Sequence, residues 1–215
     1  MNLRNLTAFA LFAALFVSGC ATSPKTTGTG PQVVVMTIAF PKKKKKTETA
    51  RVVIQLDEKS APGATQNFRT LITRHYYDGM RFHRAFPHKL VQTGDPKSRE
   101  GFVGKALQKV GLEMSDSARI GTGGPGYTLP PEIRLKLDKG AVAAARLPDT
   151  INPARLSNGS QFFVCIAPMP QLNGQYTVFG HVTEGLDVLD AISASPADSN
   201  DFPSDPIIIQ SIRME

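Results

Sequence analysis

Residues 161–167 read Gln161-Phe162-Phe163-Val164-Cys165-Ile166-Ala167, and as an extended strand the run divides cleanly. Gln161, Phe163 and Cys165 share one face, while Phe162, Val164 and Ile166 share the other. Seven further runs have the same strand character: 32–40, 51–56, 80–85, 89–94, 140–145, 176–182 and 206–214. Val, Ile, Phe and Thr dominate most of them. Only two segments show helical spacing, the first through Ala64, Phe68, Leu71 and Ile72, the second through Gly185, Val188, Leu189 and Ile192. Short strands without alternating helices do not build a parallel sheet. The pattern predicts an all-β domain, either an antiparallel sandwich or a closed barrel with two helices covering its openings. Residues 41–50 and the long stretch 96–119 read as loops, and a loop of the second length in a compact domain is often functional.

The composition agrees. At 215 residues with 41% hydrophobic and 20% charged residues, the chain is neither disordered nor a multi-span membrane protein, and one domain is the expected count. A chain this long buries enough surface to need no disulfide or structural metal. Two cysteines are too few for a disulfide framework, and four histidines without close ligand spacing argue against a metal site. Of the net charge of +7, five units come from lysines 42–46, which read as a solvated hairpin tip or as a contact for anionic headgroups.

Residues 1–19 are read as a signal sequence. Arg4 precedes the mostly apolar run 6–17, and Val17-Ser18-Gly19-Cys20 follows. Twelve helical residues span only about 18 Å, short of a hydrocarbon core of about 30 Å. The ending resembles a bacterial lipobox, which implies lipid attachment to Cys20 and cleavage before it. Two or more acyl chains on Cys20 would anchor the protein stably to a membrane without spanning it. Residues 21–31 are small and polar and form a tether, so the expected division is 1–19 signal, 20–31 lipidated cysteine and tether, and 32–215 folded domain with an insertion at about 97–119. Ala21 after Cys20 favours the outer membrane facing the periplasm, and export rules against a nucleic-acid partner.

Four separated motifs carry the chemistry: Phe82-His83-Arg84, Leu90-Val91-Gln92-Thr93-Gly94-Asp95, Asn158-Gly159-Ser160-Gln161-Phe162-Phe163 and Val178-Phe179-Gly180. In this order, with Asn67-Phe68 ahead of them and Gly121 to Tyr127 between the second and third, the chain resembles the cyclophilins, the cyclosporin-binding class of peptidyl-prolyl isomerases. The resemblance implies an eight-stranded antiparallel barrel capped by two helices, and catalysis of cis-trans exchange at X-Pro bonds without a cofactor. An X-Pro bond turns slowly because twisting it breaks amide resonance, at a barrier of about 18 to 20 kcal/mol. A fixed cation that donates to the twisted amide favours that state over the planar one.

Arg84 is the candidate cation, since its guanidinium stays charged and presents several donors in a rigid plane. In relatives, the glutamine matching Gln92 holds the arginine and contacts the substrate backbone. The Gln161/Phe163/Cys165 face would be the groove and the opposite face the core. By resemblance, Phe163 floors the prolyl pocket, Leu90, Leu172 and Tyr176 wall it, Phe82 stands behind them, and Ala145 and Arg146 present backbone to the peptide. His83 reads as structural, because the reaction transfers no proton, and Cys165 as a packed strand residue. Lys89 stands where many relatives place an aromatic, Gln171 where cyclosporin-sensitive relatives carry tryptophan, and Thr93 where the usual run has glycine. The expected partners are proline-containing segments of exported proteins, bound by a monomer. The competing expectation is a catalytically weak, lipid-anchored module that binds peptides through the groove or the insertion.

Overall fold

The computed structural model describes residues 32–40, 48–99 and 120–215. Cys20, the signal and tether, the lysine run and most of the 97–119 insertion therefore lie outside the described residues. The strands are β1 (Val33–Phe40), β2 (Glu48–Leu56), β3 (Arg84–Phe86), β4 (Leu90–Thr93), β5 (Ala141–Ala144), β6 (Phe162–Cys165), β7 (Val178–Glu184) and β8 (Ile208–Met214). Helix α1 is Pro62–Thr73 and helix α2 is Leu186–Ser193. All strand pairings are antiparallel, in the order β3-β4-β6-β5-β7-β2-β1-β8. The ends of that sheet are tied by the segment before β3: Gly79 N–H donates to Ile209 O and Ile209 N–H to Met80 O, both at 2.8 Å, and Phe82 N–H donates to Ile207 O at 3.0 Å.

That connection corrects the strand expected over 80–85. Residues 79–82 bond to β8, but from His83 onward the chain bonds to β4, beginning with His83 N–H to Gln92 O. The chain changes partner within the run, and only Arg84–Phe86 is a strand. The loop expected over 41–50 is also shorter than its composition suggested, because β1 and β2 stay in register as far as Phe40 opposite Glu48.

Period-two alternation sorts the side chains. On β1, Val34, Met36 and Ile38 are fully buried, facing Ile54 and Val52 of β2 and Ile212 and Ile209 of β8. Across four strands, Ala85, Val91, Val164 and Val142 form one buried row. Phe162, Val164 and Ile166 belong to this large core, whereas Phe163 and Cys165 belong to a second, smaller cluster with Leu90, Leu137 and Met169. The division expected from the alternation is thus physical: one face fills the interior and the other underlies a surface groove.

Helix α1 turns Ala64, Phe68, Leu71 and Ile72 inward. The Phe68 ring lies 5.4 Å from Phe162, edge-on, and 5.1 Å from Phe179. The helix opens with Pro62 and has no local side-chain cap. Instead, the carboxylate of Glu132 accepts from Gly63 N–H at 3.0 Å and Ala64 N–H at 2.9 Å, placing negative charge at the positive end of the helix. Helix α2 buries Leu189 and Ile192 in the same core. No helix among the described residues is long and apolar enough to cross a membrane.

Glu132→Ala removes both acceptors from α1. We expect a loss of about 0.5 to 2 kcal/mol in urea unfolding, with Glu132→Gln recovering part of it. An unchanged midpoint in Glu132→Ala would show that water replaces the carboxylate without cost.

Candidate functional site

Antiparallel register brings the site together. Arg84 of β3 is opposite Gln92 of β4, Gln92 is opposite Phe163 of β6, and Phe163 is opposite Ala143 of β5. Residues directly opposite in adjacent strands point to the same face, so Arg84, Gln92 and Phe163 emerge in one line on the outer surface. There they line a cavity of about 370 Å³. Leu90, Leu172 and Tyr176 line it too, as do Ala145 and Arg146. A second cavity of about 270 Å³ shares Gln92, Ala145 and Arg146 with the first and adds Gln161, Leu156, Leu147 and Ile151.

The apolar floor is held from behind. The rings of Phe163 and Tyr176 meet nearly at right angles with centroids 5.2 Å apart, and the guanidinium of Arg146 lies 4.8 Å from the Tyr176 centroid. The Arg146 side chain is only 4% exposed and is pinned by Asp149 at 2.6 Å and by Gln175 O at 2.7 Å. That network fixes the wall against which a proline ring would pack.

Arg84 differs, with a side chain 46% exposed. Its Nε donates to Asp201 Oδ2 at 3.2 Å, an engagement that leaves the two amino groups of the fork out of this bond. Asp201 takes a positive φ of 61°, and its carbonyl accepts from Ala85 N–H at 2.8 Å, so the carboxylate is delivered by a loop stitched to β3. Gln92 does not hold the arginine in this arrangement. Its amide donates to Gln161 Oε1 at 2.9 Å, and Gln161 Nε2 donates onward to Gly121 O at 2.9 Å and Gly123 O at 2.8 Å.

The glycine-rich segment is fastened by Asp95, which is fully buried. Its carboxylate accepts from the backbone N–H groups of Lys97, Gly121 and Gly123. Gly123 shows how close that approach is: a Cβ there would sit 2.1 Å from Asp95 Oδ1. Asn158 completes the tie, donating to Gly123 O at 3.0 Å and accepting from Gln161 N–H at 3.1 Å.

Besides that of Gln92, two further expected roles need correction. Phe82 does not line the cavity; it is 1% exposed and packs in the large interior core, because the chain bonds to β8 there and turns this side chain inward. Ala145 offers no free backbone, since its N–H donates to Gln161 O at 2.9 Å and its carbonyl accepts from Asn158 N–H at 2.8 Å. Phe86, Met169 and Asp201 were missed. Phe86 and Met169 line the cavity, and Phe86 was legible as the same-face neighbour of Arg84 two residues on. Met169 and Asp201 sit on loops that carry no periodic signal.

Cys165 is fully buried beneath the groove, and burial pushes its thiol up to about 12, which denies it nucleophilic character at neutral pH. His83 is also buried, and neither ring nitrogen makes a hydrogen bond. Burial pushes its pKa down from 6.5 to about 4, against the opposing pull of the Asp95 charge.

The family model for cyclophilin type peptidyl-prolyl cis-trans isomerase/CLD matches residues 44–214. The peptidyl-prolyl cis-trans isomerase ppi1 of Schizosaccharomyces pombe is 33% identical over 163 residues, covering 76% of this chain and 92% of that protein. A peptidyl-prolyl cis-trans isomerase of Helicobacter pylori is 34% identical over 152 residues, covering 68% of this chain and 77% of its own length. Among solved structures, a cyclophilin type isomerase of Cryptosporidium parvum superposes with a TM-score of 0.63 at 26% identity, over 84% of this chain and 98% of the other. A second structure of that protein, determined in the presence of the dipeptide Ala-Pro, superposes with a TM-score of 0.61, also at 26% identity, over 83% of this chain and 98% of the other.

Because His83 is neutral when folded and takes up a proton more readily when unfolded, acid favours the unfolded chain. The folded protein should lose stability as pH falls from 6.5 towards 4, by up to about 3 kcal/mol from this group. Urea unfolding of His83→Phe across that range should show a shallower decline, and parallel curves would assign the acid sensitivity elsewhere.

Proposed function

The chain belongs to the cyclophilin-type peptidyl-prolyl cis-trans isomerases, and from that premise we propose that it turns X-Pro bonds of exported proteins while lipid-anchored in a bacterial envelope. The observation that carries the isomerase chemistry is the line of Arg84, Gln92 and Phe163 across three paired strands. It puts a charged fork at the edge of a cavity whose apolar floor a proline ring can pack against. As the prolyl amide twists, its nitrogen regains a lone pair, and the fork of Arg84 donates to the twisted amide more strongly than to the planar one. Asp201 steadies the guanidinium through Nε without occupying the fork. Gln92, braced by Gln161, offers its side chain to the peptide backbone. Among the backbone bonds outside helices and strands of the described residues, none uses Arg146, so Arg146 rather than Ala145 supplies the backbone contact. The Ala-Pro dipeptide present with the Cryptosporidium structure supports a proline-containing ligand for this groove.

The envelope location rests on the residues around Cys20. A lipidated Cys20 followed by eleven tether residues would keep the start of the folded domain at residue 32 within about 40 Å of the membrane, where newly exported chains emerge. Cys20→Ala should move the protein from the membrane fraction to the soluble fraction and abolish labelling by a fatty-acid probe. Labelling that persists would refute the anchor.

Residues 21–215 should accelerate exchange of a proline-containing peptide measured by NMR. Arg84→Ala should lose about a hundredfold in kcat/KM, the scale seen when one donor to a developing charge is removed. A folded protein that binds such peptides yet leaves their exchange rate unchanged would instead establish a peptide-binding module.

A further inference from the structure

The cations around the prolyl cavity are not equivalent. Arg84, Lys89 and Arg146 line it, and among the described residues no Asp or Glu does. Arg84 is compensated by Asp201 and Arg146 by Asp149, each carboxylate standing behind its arginine rather than on the lining. Lys89 is placed differently. It is exposed on the tight connection between β3 and β4, where its N–H donates to Phe86 O at 3.0 Å, and its ammonium lies 4.7 Å from the Phe86 ring centroid. An aromatic face holds a cation in place without neutralising it. Among the described residues Lys89 makes no ion pair, so of the three lining cations its charge is the least compensated, the nearby Asp190 being engaged by His88.

Lys89 and Phe86 also fall on the part of the lining that the second cavity does not share. A peptide with its proline on Phe163 would therefore meet Lys89 within the first cavity, at lining that Leu147 and Ile151 of the second do not share.

Resting on the isomerase reading, we infer that Lys89 selects X-Pro segments carrying an acidic side chain beside the proline, on the flank that Lys89 borders. The carboxylate meets the ammonium at the rim while the proline fills the apolar floor. The pair is partly solvated, so the preference is modest and depends on salt.

The test uses two pairs of peptides, Glu against Gln placed before the proline and Glu against Gln placed after it, with exchange rates measured by NMR. The wild-type protein should favour Glu over Gln by about two- to fivefold in kcat/KM at one of the two positions. Raising ionic strength from about 0.01 M to about 1 M, which shortens the Debye length from about 30 Å to about 3 Å, should erase that ratio. Lys89→Gln should bring the ratio to one. Lys89→Glu should turn it over in favour of a Lys-containing peptide at the same position, an inversion that lost packing cannot produce. Equal wild-type rates for Glu and Gln at both positions would overturn the selection while leaving the isomerase standing. A ratio that survives in Lys89→Gln would overturn the role of Lys89. No acceleration of any peptide would overturn the isomerase reading and this inference with it.

Discussion

The pairing of β4 with β6 is the constraint on which the rest of the site depends. Its register places Gln92 opposite Phe163 and Val91 opposite Val164, so a single strand pair assigns one residue of each couple to the groove and the other to the interior. A slip of one residue would carry Phe163 into the core and expose Val164. The close approach at the end of the pair enforces the register. Gly94 has a φ of 91°, and a Cβ there would lie 2.3 Å from Ser160 O. The hydroxyl of Ser160 in turn donates to Gly94 O at 2.8 Å. Because β3 and β5 hang their own registers on β4 and β6, Arg84 and Ala143 inherit their positions from that contact.

Around this pair the protein spends buried polar groups where they organise loops. Asp95 gathers three backbone N–H groups, and Gln161 bridges Gln92 to the carbonyls of Gly121 and Gly123. Buried polar groups of this kind are costly unless satisfied, and once satisfied they specify a single arrangement. His83 is the exception, a buried ring without hydrogen bonds held neutral by its surroundings. It sits next to Arg84 in the chain, as the residue before β3 begins. The groove itself divides the labour between a rigid wall, where Arg146 lies over Tyr176 and Tyr176 meets Phe163 edge to face, and a more exposed charged edge at Arg84. Fixing the apolar contact while leaving the donor fork available suits a reaction in which the proline ring stays put and the amide turns.

Much of this was legible in the chain. Period two in residues 161–167 separated Phe163 from Phe162, and the two hydrophobic clusters follow that division. Helical spacing marked α1 and α2 correctly because their apolar faces are strong. The errors arose where a run of strand-like residues served two partners. Residues 80–85 mix apolar with basic side chains in one strand-like run, yet the chain bonds first to β8 and then to β4, so Phe82 turns into the core while Arg84 reaches the groove. Composition cannot report such a change of partner, because both halves satisfy the same local preference.

The amino-acid sequence alone determined which residues could face outward and which inward, since alternation and helical spacing are local properties of the backbone. Several ordered motifs were enough to indicate the family, and the Phe82-His83-Arg84 motif marked Arg84 as the candidate cation. The tertiary structure alone decided which carboxylate stands behind that cation, for Asp201 lies 117 residues away along the chain. It likewise decided that Ala145 spends its backbone internally and that Glu132 caps a helix 68 residues before it. Such partners are chosen by where the loops close in space, and loop closure depends weakly on chain length and not at all on the periodicity that a sequence displays.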